Sequence, residues 1–399
     1  MMADILVINS GSSSIKFALF ARQEGGQGLE GFAARFRGQF SGLGDQPHFV
    51  AKDAQGQTLL DEHPQGQDGD RFDHAAALEC LLDWVDDHSD ADDIAAIGHR
   101  VVHGGRTYRQ PARLDAETVR DLETLIPLAP LHQPHCLAPV SLLSELRPDV
   151  PQVACFDTSF HTTQPRVAQA FALPRHLTEA GLVRYGFHGL SYDYISRALA
   201  QHVPTPETGR VVVAHLGNGA SLCAMHNGVS VASTMGFTAL DGLPMGTRCG
   251  NIDPGLVLHL LSHENMTPDE VSRVLYKESG LLGVSGISSD MRVLLDSEEP
   301  SAREAVDLFV YRIVREIGSL ASALGGLDHL VFTAGIGERA SPVRSEVIRG
   351  CQWLGLEVDE ASNLEHGPCI STASSRAAAW VIPTDEERMI AWHTAQCCD

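Results

Sequence analysis

Ile5-Leu-Val-Ile-Asn-Ser-Gly-Ser-Ser-Ser-Ile-Lys-Phe-Ala-Leu-Phe20 packs two apolar runs, a small polar turn and a lone lysine into sixteen residues. The runs Ile5–Ile8 and Ile15–Phe20 read as strands. The turn Ser10–Ser14 between them is rich in residues that bring hydroxyls and backbone N–H groups close to an anion. Lys16 adds a point charge, and the only other lysines are Lys52 and Lys277, so a scarce residue stands at a chemically useful place. The spacing matches neither G-x-x-x-x-G-K-[ST] nor G-x-G-x-x-G, which argues against a Walker ATPase and a dinucleotide-binding dehydrogenase. An ordinary serine–glycine hairpin turn is the alternative for this segment taken alone.

The layout recurs at Arg210-Val-Val-Val-Ala-His-Leu-Gly-Asn-Gly-Ala-Ser-Leu-Cys-Ala-Met225. Two strand–turn–strand units predict an α/β chain of duplicated architecture, each domain presenting a phosphate-facing turn to a shared cleft. A third glycine turn follows a strand in His329–Glu338, with helical patterns before it (Ala302–Leu324) and after it (Val343–Gly350). Apolar residues at Ala77, Leu78, Leu81, Leu82, Trp84 and Val85 predict a helix over His74–Asp90, leading into a buried strand Ile94–Val102. Residues 22–75 are polar, Gln65–Asp70 included, and read as hairpins and loops on a sheet edge. Leu330–Thr333 and Ala378–Ile382 read as strands, and Glu386–Cys397 as a closing amphipathic helix.

A chain of 399 residues with 43% hydrophobic content can build two cores. No run approaches the roughly 18 apolar residues of a membrane span, and no basic region or signal-peptide core precedes the first strand. A cytoplasmic protein with no membrane partner is expected. The nine cysteines are scattered, without a C-x-x-C pair, and read as reduced thiols. A formal charge of −22 disfavours sequence-independent nucleic-acid binding. Any anionic ligand must then be met by locally clustered arginines.

Arg100, in Gly98-His-Arg-Val-Val-His-Gly-Gly105, and Arg248, in Pro244-Met-Gly-Thr-Arg-Cys-Gly250, stand in such settings. An arginine leaving a buried strand must find an anionic partner, either a structural carboxylate or a ligand. His132 and His188 occupy turn-like, apolar contexts without metal-ligand spacing, as neutral donors to a transferring group or as structural histidines. Asp157 ends an apolar strand, where ligands bind in open α/β sheets. Glu386 starts the last helix, where compensation of the helix dipole is the other explanation. Glycine and serine turns, cationic side chains and carboxylates together form the set that phosphoryl transfer needs.

With Phe156-Asp-Thr-Ser-Phe-His161, Tyr185-Gly-Phe-His-Gly189, His215-Leu-Gly-Asn-Gly-Ala-Ser221, Ser288-Ser-Asp-Met-Arg292, Ala334-Gly-Ile-Gly-Glu338 and Pro383-Thr-Asp-Glu-Glu387 added in this order, the chain resembles the acetate kinase family of the acetate and sugar kinase/Hsp70/actin superfamily. The resemblance implies two ribonuclease-H-like (actin-like ATPase) domains with a nucleotide and substrate cleft between them. Residues 1–157 plus 385–399 would form the first, and residues 158–384 the second. It implies a homodimer, and reversible transfer of the ATP γ-phosphoryl group to acetate, giving acetyl phosphate and ADP, with Mg2+ (Mn2+ as the alternative). By position, Asn9 and Glu386 would hold the metal and Asp157 orient it. Lys16, Ser12, Ser14, His215 and Asn218 would meet phosphate oxygens, while Asp290, Arg292, Gly335 and Gly337 would bind adenosine. Arg100 and Arg248 would clamp the carboxylate and the moving phosphoryl group, and His188 would donate to the transition state. His132 would sit beside the substrate, with Val102, Leu131 and Phe187 around its methyl group.

Tyr192 departs from the family pattern, where Phe-His-Gly-x-Ser-His ends in histidine, as do Asn251 and Arg339. Ala239 replaces a proline of the methyl pocket, and because one methylene discriminates by only about 1–3 kcal/mol, a propionate or butyrate kinase is the nearest rival. A nucleotide-switched Hsp70/actin-type binding protein and a sugar kinase are more distant ones.

Overall fold

A computed structural model of the chain describes residues 4–11, 13–23, 25–26, 28–44, 46–65, 72–89, 94–203 and 208–399. These fall into two compact units, Met1–Ser159 with Asp385–Asp399, and Phe160–Thr384. The predicted loop Gln65–Asp70 lies outside the described residues beyond Gln65, as does Asp90 at the end of the predicted helix. Among the described residues no helix is long and apolar enough to cross a membrane.

The first unit carries β1 (Asp4–Ser10), β2 (Ser14–Arg22), β3 (Phe32–Ser41), β4 (His48–Asp53), β5 (Thr58–Glu62), β6 (Ile94–Val101), β7 (Ala112–Arg113) and β8 (Gln152–Phe156). They form one sheet in the order β5-β4-β3-β2-β1-β6-β8-β7. The polar stretch after residue 22 supplies the antiparallel edge, whereas β6 and β8 run parallel to β1. Ile5 to Ile8 are all buried, as a central strand covered on both faces requires. Leu6, Ile8, Phe17 and Leu19 pack on Leu78, Leu81 and Trp84 of the helix His74–His88.

Strand alternation sends Val7 and Asn9 to the opposite face, in register with Gly98 and next to Arg100. The C-terminal helix Glu386–Cys398 covers that face. Its approach is close: a Cβ on Gly98 would lie 2.3 Å from Thr394 Oγ1 and 2.7 Å from Ile390 Cγ2.

The second unit carries β9 (Arg210–Leu216), β10 (Ala220–His226), β11 (Val229–Ser233), β12 (His329–Thr333) and β13 (Ala378–Val381). Their order is β11-β10-β9-β12-β13, with an antiparallel meander β9–β11 and parallel β12 and β13. Directions and order repeat β3-β2-β1-β6-β8, so the expected duplication of a ribonuclease-H-like sheet is present. Tyr192, Ile195 and Leu199 of the helix Gly189–Leu199 pack on Val211, Val213, Cys223, Met225 and Val331. One local expectation fails. The third glycine segment is not a turn but the helix Ala334–Arg339, which starts where β12 ends and places Ala334 at φ 63°.

Gly98→Ala is expected to push the C-terminal helix off the sheet and cost about 1–3 kcal/mol, the usual range for overpacking. Urea unfolding of the variant measures it, and Gly98→Ala/Thr394→Ala should recover part of the loss.

Candidate active site

The β1–β2 turn is fastened at both sides. Gly11 N donates to Ser14 O at 2.8 Å, Leu43 N to Ser13 O at 3.2 Å, and His74 Nε2 lies 2.8 Å from Gly11 O. Asn9 faces exposed Lys16 across the strand pair, and Ser14 is half-buried beside them. Ser12 lies outside the described residues. From the neighbouring strand, Arg100 donates to Asp157 through Nε (3.2 Å) and Nη2 (2.6 Å), and through Nη1 to Asn9 Oδ1 (3.4 Å). The unit thus draws Asn9, Arg100 and Asp157 into one hydrogen-bonded group. Burial opposes the charge on Arg100, but Asp157 and then Glu386 outweigh it and hold the guanidinium firmly protonated.

Glu386 stands in the first turn of the C-terminal helix. Asp385 caps that helix by accepting from Arg388 N at 3.0 Å, and Arg37 of β3 pins the start with Nη2 2.6 Å from Asp385 Oδ2. Desolvation pushes the Glu386 carboxyl up to about 7; Arg100 and Lys16 pull it down, while Asp157 and Glu387 add to the rise. By chemistry, the amide oxygen of Asn9 and the carboxylate of Glu386 are donors of the hard-oxygen kind that magnesium takes, one or two from protein beside phosphates and water. Among the described residues no group of three or more His, Cys, Asp or Glu forms a closed metal cage. Val102 is buried at the end of β6, whereas Leu131 is exposed and His132 begins the helix Gln133–Leu146.

In the second unit, two imidazoles stack with centroids 4.1 Å apart and planes 16° from parallel: His188 and His215. Each Nδ1 meets a serine hydroxyl at 2.8 Å, Ser221 for His188 and Ser191 for His215. His188 has φ 58° at the start of its helix, the left-handed region that few side chains adopt, and follows buried Phe187. The ring and Arg248 both border the β9–β10 turn, since a Cβ on Gly219 would lie 3.4 Å from His188 Nε2 and 3.8 Å from Arg248 Nη1. Arg248 Nη1 also donates to Ala239 O at 3.1 Å. Asn218, exposed at the turn, lies over Gly246, where a Cβ would meet its Oδ1 at 2.0 Å. His188, His215, Asn218 and Arg248 therefore form one cluster.

Asp290 and Arg292 lie apart from that chemistry in kind. Asp290 caps the helix Met291–Leu295, and Arg292 turns back on it with Nη2 2.6 Å from Oδ2 while its side chain stays 82% exposed. Gly335 has open space where a Cβ would stand, and Gly337 is buried. Sequence reasoning missed the residue that holds this helix. Fully buried Arg344 donates through Nη1 to Gly337 O and Glu338 O, both at 2.9 Å, and through Nε to Asn363 Oδ1 at 2.8 Å. It also missed Arg37, which nothing in its polar strand singles out. Ser191, Tyr192 and Ser221 lie within or beside the motifs already quoted, which is the signal that was available for them.

The family model described as the Acetokinase family matches residues 4–392. The chain belongs to the acetokinase family. It is 50% identical over 405 aligned positions to the acetate kinase of Rhodopseudomonas palustris, covering 100% of this chain and 99% of that one. Among solved structures, this acetokinase is similar to a propionate kinase from Francisella tularensis (TM-score 0.91, 34% identity, 99% and 100% of the two chains). It is also similar to the acetate kinase of Porphyromonas gingivalis (TM-score 0.87, 34% identity, 100% of both).

The raised Glu386 carboxyl makes a sign-specific prediction for metal-free protein. An acid whose folded value lies above its unfolded value binds more protons when folded, so its contribution to stability falls as pH rises from about 4.5 to about 7. Glu386→Gln should therefore melt with wild type at pH 5 and be more stable at pH 8.5, by on the order of 1 kcal/mol after solvent screening. Thermal melts in chelator at the two pH values check this.

Proposed function

We propose that this acetokinase transfers the ATP γ-phosphoryl group reversibly to acetate, giving acetyl phosphate and ADP. The observation that carries the reading is the His188–His215–Arg248 cluster at the β9–β10 turn in a chain half identical to an acetate kinase. An ionised acetate oxygen forms a bond to the γ-phosphorus as the bond to the β-phosphate oxygen breaks. No general base is needed, so positioning and charge stabilisation supply the catalysis. Arg248 stabilises the equatorial oxygens, and His188 donates to them through Nε2. Arg100 holds Asp157 and Asn9 in place and lends positive charge to the acceptor carboxylate. Lys16, Ser14, His215 and Asn218 bind phosphate oxygens, and the segment around Gly335 and Gly337 receives the adenosine. Asn9 and Glu386 would hold Mg2+, which neutralises the β- and γ-phosphate charge when bound.

The acting form is a homodimer. The helix Pro254–Ser262, sequence PGLVLHLLS, buries none of its residues, and Leu256 and Leu258 stand 46% and 63% exposed. An apolar helix with no buried face is suited to a second copy of the chain. Light scattering should give a dimer, and Leu258→Glu should shift it toward monomer; a wild-type monomer at micromolar concentration would remove this proposal.

Acyl phosphate formed from ATP, Mg2+ and acetate, propionate or butyrate can be trapped with hydroxylamine. Acetate should give the highest kcat/KM, whereas a preference for propionate would make the propionate reading correct. No trapped product with any of the three acids would sink the kinase reading. Arg248→Ala and His188→Ala should each lower kcat by about 100-fold or more, the scale of losing a preorganised donor. Near-normal turnover in either variant would remove that residue's role.

A further inference from the structure

Tyr192 has no place in the chemistry above, yet it is fully buried and its hydroxyl is hydrogen-bonded to Ser221 Oγ, the atom that meets His188 Nδ1. We propose that Tyr192, acting through Ser221, fixes the tautomer of His188 so that the neutral ring carries its proton on Nε2. The inference rests on the donor role given to His188.

A hydroxyl has one proton to donate and room to accept. Of the two hydroxyls, the phenol, with a reference value of about 10, is much the more acidic and so the better donor. Tyr192 therefore donates to Ser221 Oγ, and the Ser221 proton turns to His188 Nδ1. With Nδ1 accepting, the N–H of the neutral ring is on Nε2, the nitrogen that borders Gly219.

The fold brings these groups together in two ways. Ser221 and His215 are register partners across β10 and β9. Ser191 and Tyr192 are consecutive residues in the first turn of the helix Gly189–Leu199. One helical turn thus reaches both imidazoles, His215 directly and His188 through Ser221.

A neutral His188 also suits its other neighbours. Among the described groups around it are His215, stacked at 4.1 Å, Arg248 across Gly219, and Tyr192 through Ser221. Among them none is an anion, and a positive ring would be repelled by Arg248. Tyr192 is a positioning residue, and the proton is delivered by His188 alone.

The test is Tyr192→Phe, which keeps the ring and removes the hydroxyl. The expected result is a fall in kcat of at least ten-fold with KM for ATP and acetate within two-fold. The 15N shifts of the His188 ring should move from the Nε2–H pattern toward Nδ1–H, because Ser221 is then able to accept from the ring. Ser221→Ala should lose a similar factor, and the double variant should be no slower than Ser221→Ala, the non-additivity of a shared path. If Tyr192→Phe does not fold, Ser221→Ala carries the same kinetic and 15N measurements. A kcat within two-fold of wild type together with an unchanged 15N pattern would overturn the proposal. Full turnover in His188→Ala would instead remove the donor reading beneath it, so the two failures are told apart.

Discussion

Arg100 leaves a strand buried within the sheet, and its guanidinium must meet a carboxylate there; the first unit is arranged around that requirement. Asp157 directly follows the next strand, two residues beyond the register partner of Arg100, and takes two of its N–H groups. Removing one member of a largely buried pair costs about 3–5 kcal/mol, because the other is left without compensation. Glu386 then arrives on a helix that the chain adds only after completing the second unit. It adds a second carboxylate near one guanidinium, and burial raises its carboxyl to about 7 against the pull of Arg100, with Asp157 adding to the rise. Arg37 on Asp385 and the absence of a side chain at Gly98 seat the helix close enough for this to happen.

The second unit has the same strand order and a different electrostatic solution. At the equivalent strand end, where the first unit has Asn9, stands His215, and the cluster around it is built of imidazoles, hydroxyls and Arg248. The carboxylates Asp157 and Glu386 lie in the first unit beside Arg100, and the imidazole, hydroxyl and guanidinium cluster lies in the second. In a chain with a net charge of −22, the second grouping matters most, since an anionic nucleotide is otherwise repelled.

The sheets were legible because their strands are short apolar runs bounded by glycine or serine turns, as at Ile5–Phe20 and Arg210–Met225. Helices with a repeating apolar face, such as His74–His88, were legible by period. Ala334–Arg339 was not, because two glycines in six residues are poor helix formers, and the segment is instead held from outside by Arg344. The site residues Arg100 and Arg248 stood out by cost, as arginines in apolar or glycine-bound surroundings. Arg37 did not, for its partner Asp385 lies far away in sequence and only the fold supplies it; nor did Arg344, whose acceptors on the glycine helix are the backbone carbonyls of Gly337 and Glu338, which no side chain marks. For Arg100 the sequence left a structural carboxylate and a ligand both open; the carboxylate is Asp157, whose identity spacing alone does not reveal.

Under the proposed reaction, hydroxyls behind His188 and His215 suit the charge of the group those rings would face. A carboxylate behind an imidazole holds it in orientation, but it also favours the imidazolium and places a negative charge close behind a phosphoryl group that is itself negative. A serine orients the ring without that charge. It has a weakness, because a hydroxyl rotates and leaves the tautomer open. Tyr192 closes that freedom in this chain by occupying the acceptor side of Ser221 with a phenol. The substitution at the end of the Phe187-His188-Gly189 motif is therefore compatible with the chemistry, since what the position must supply is a donor to Ser221 rather than a particular ring.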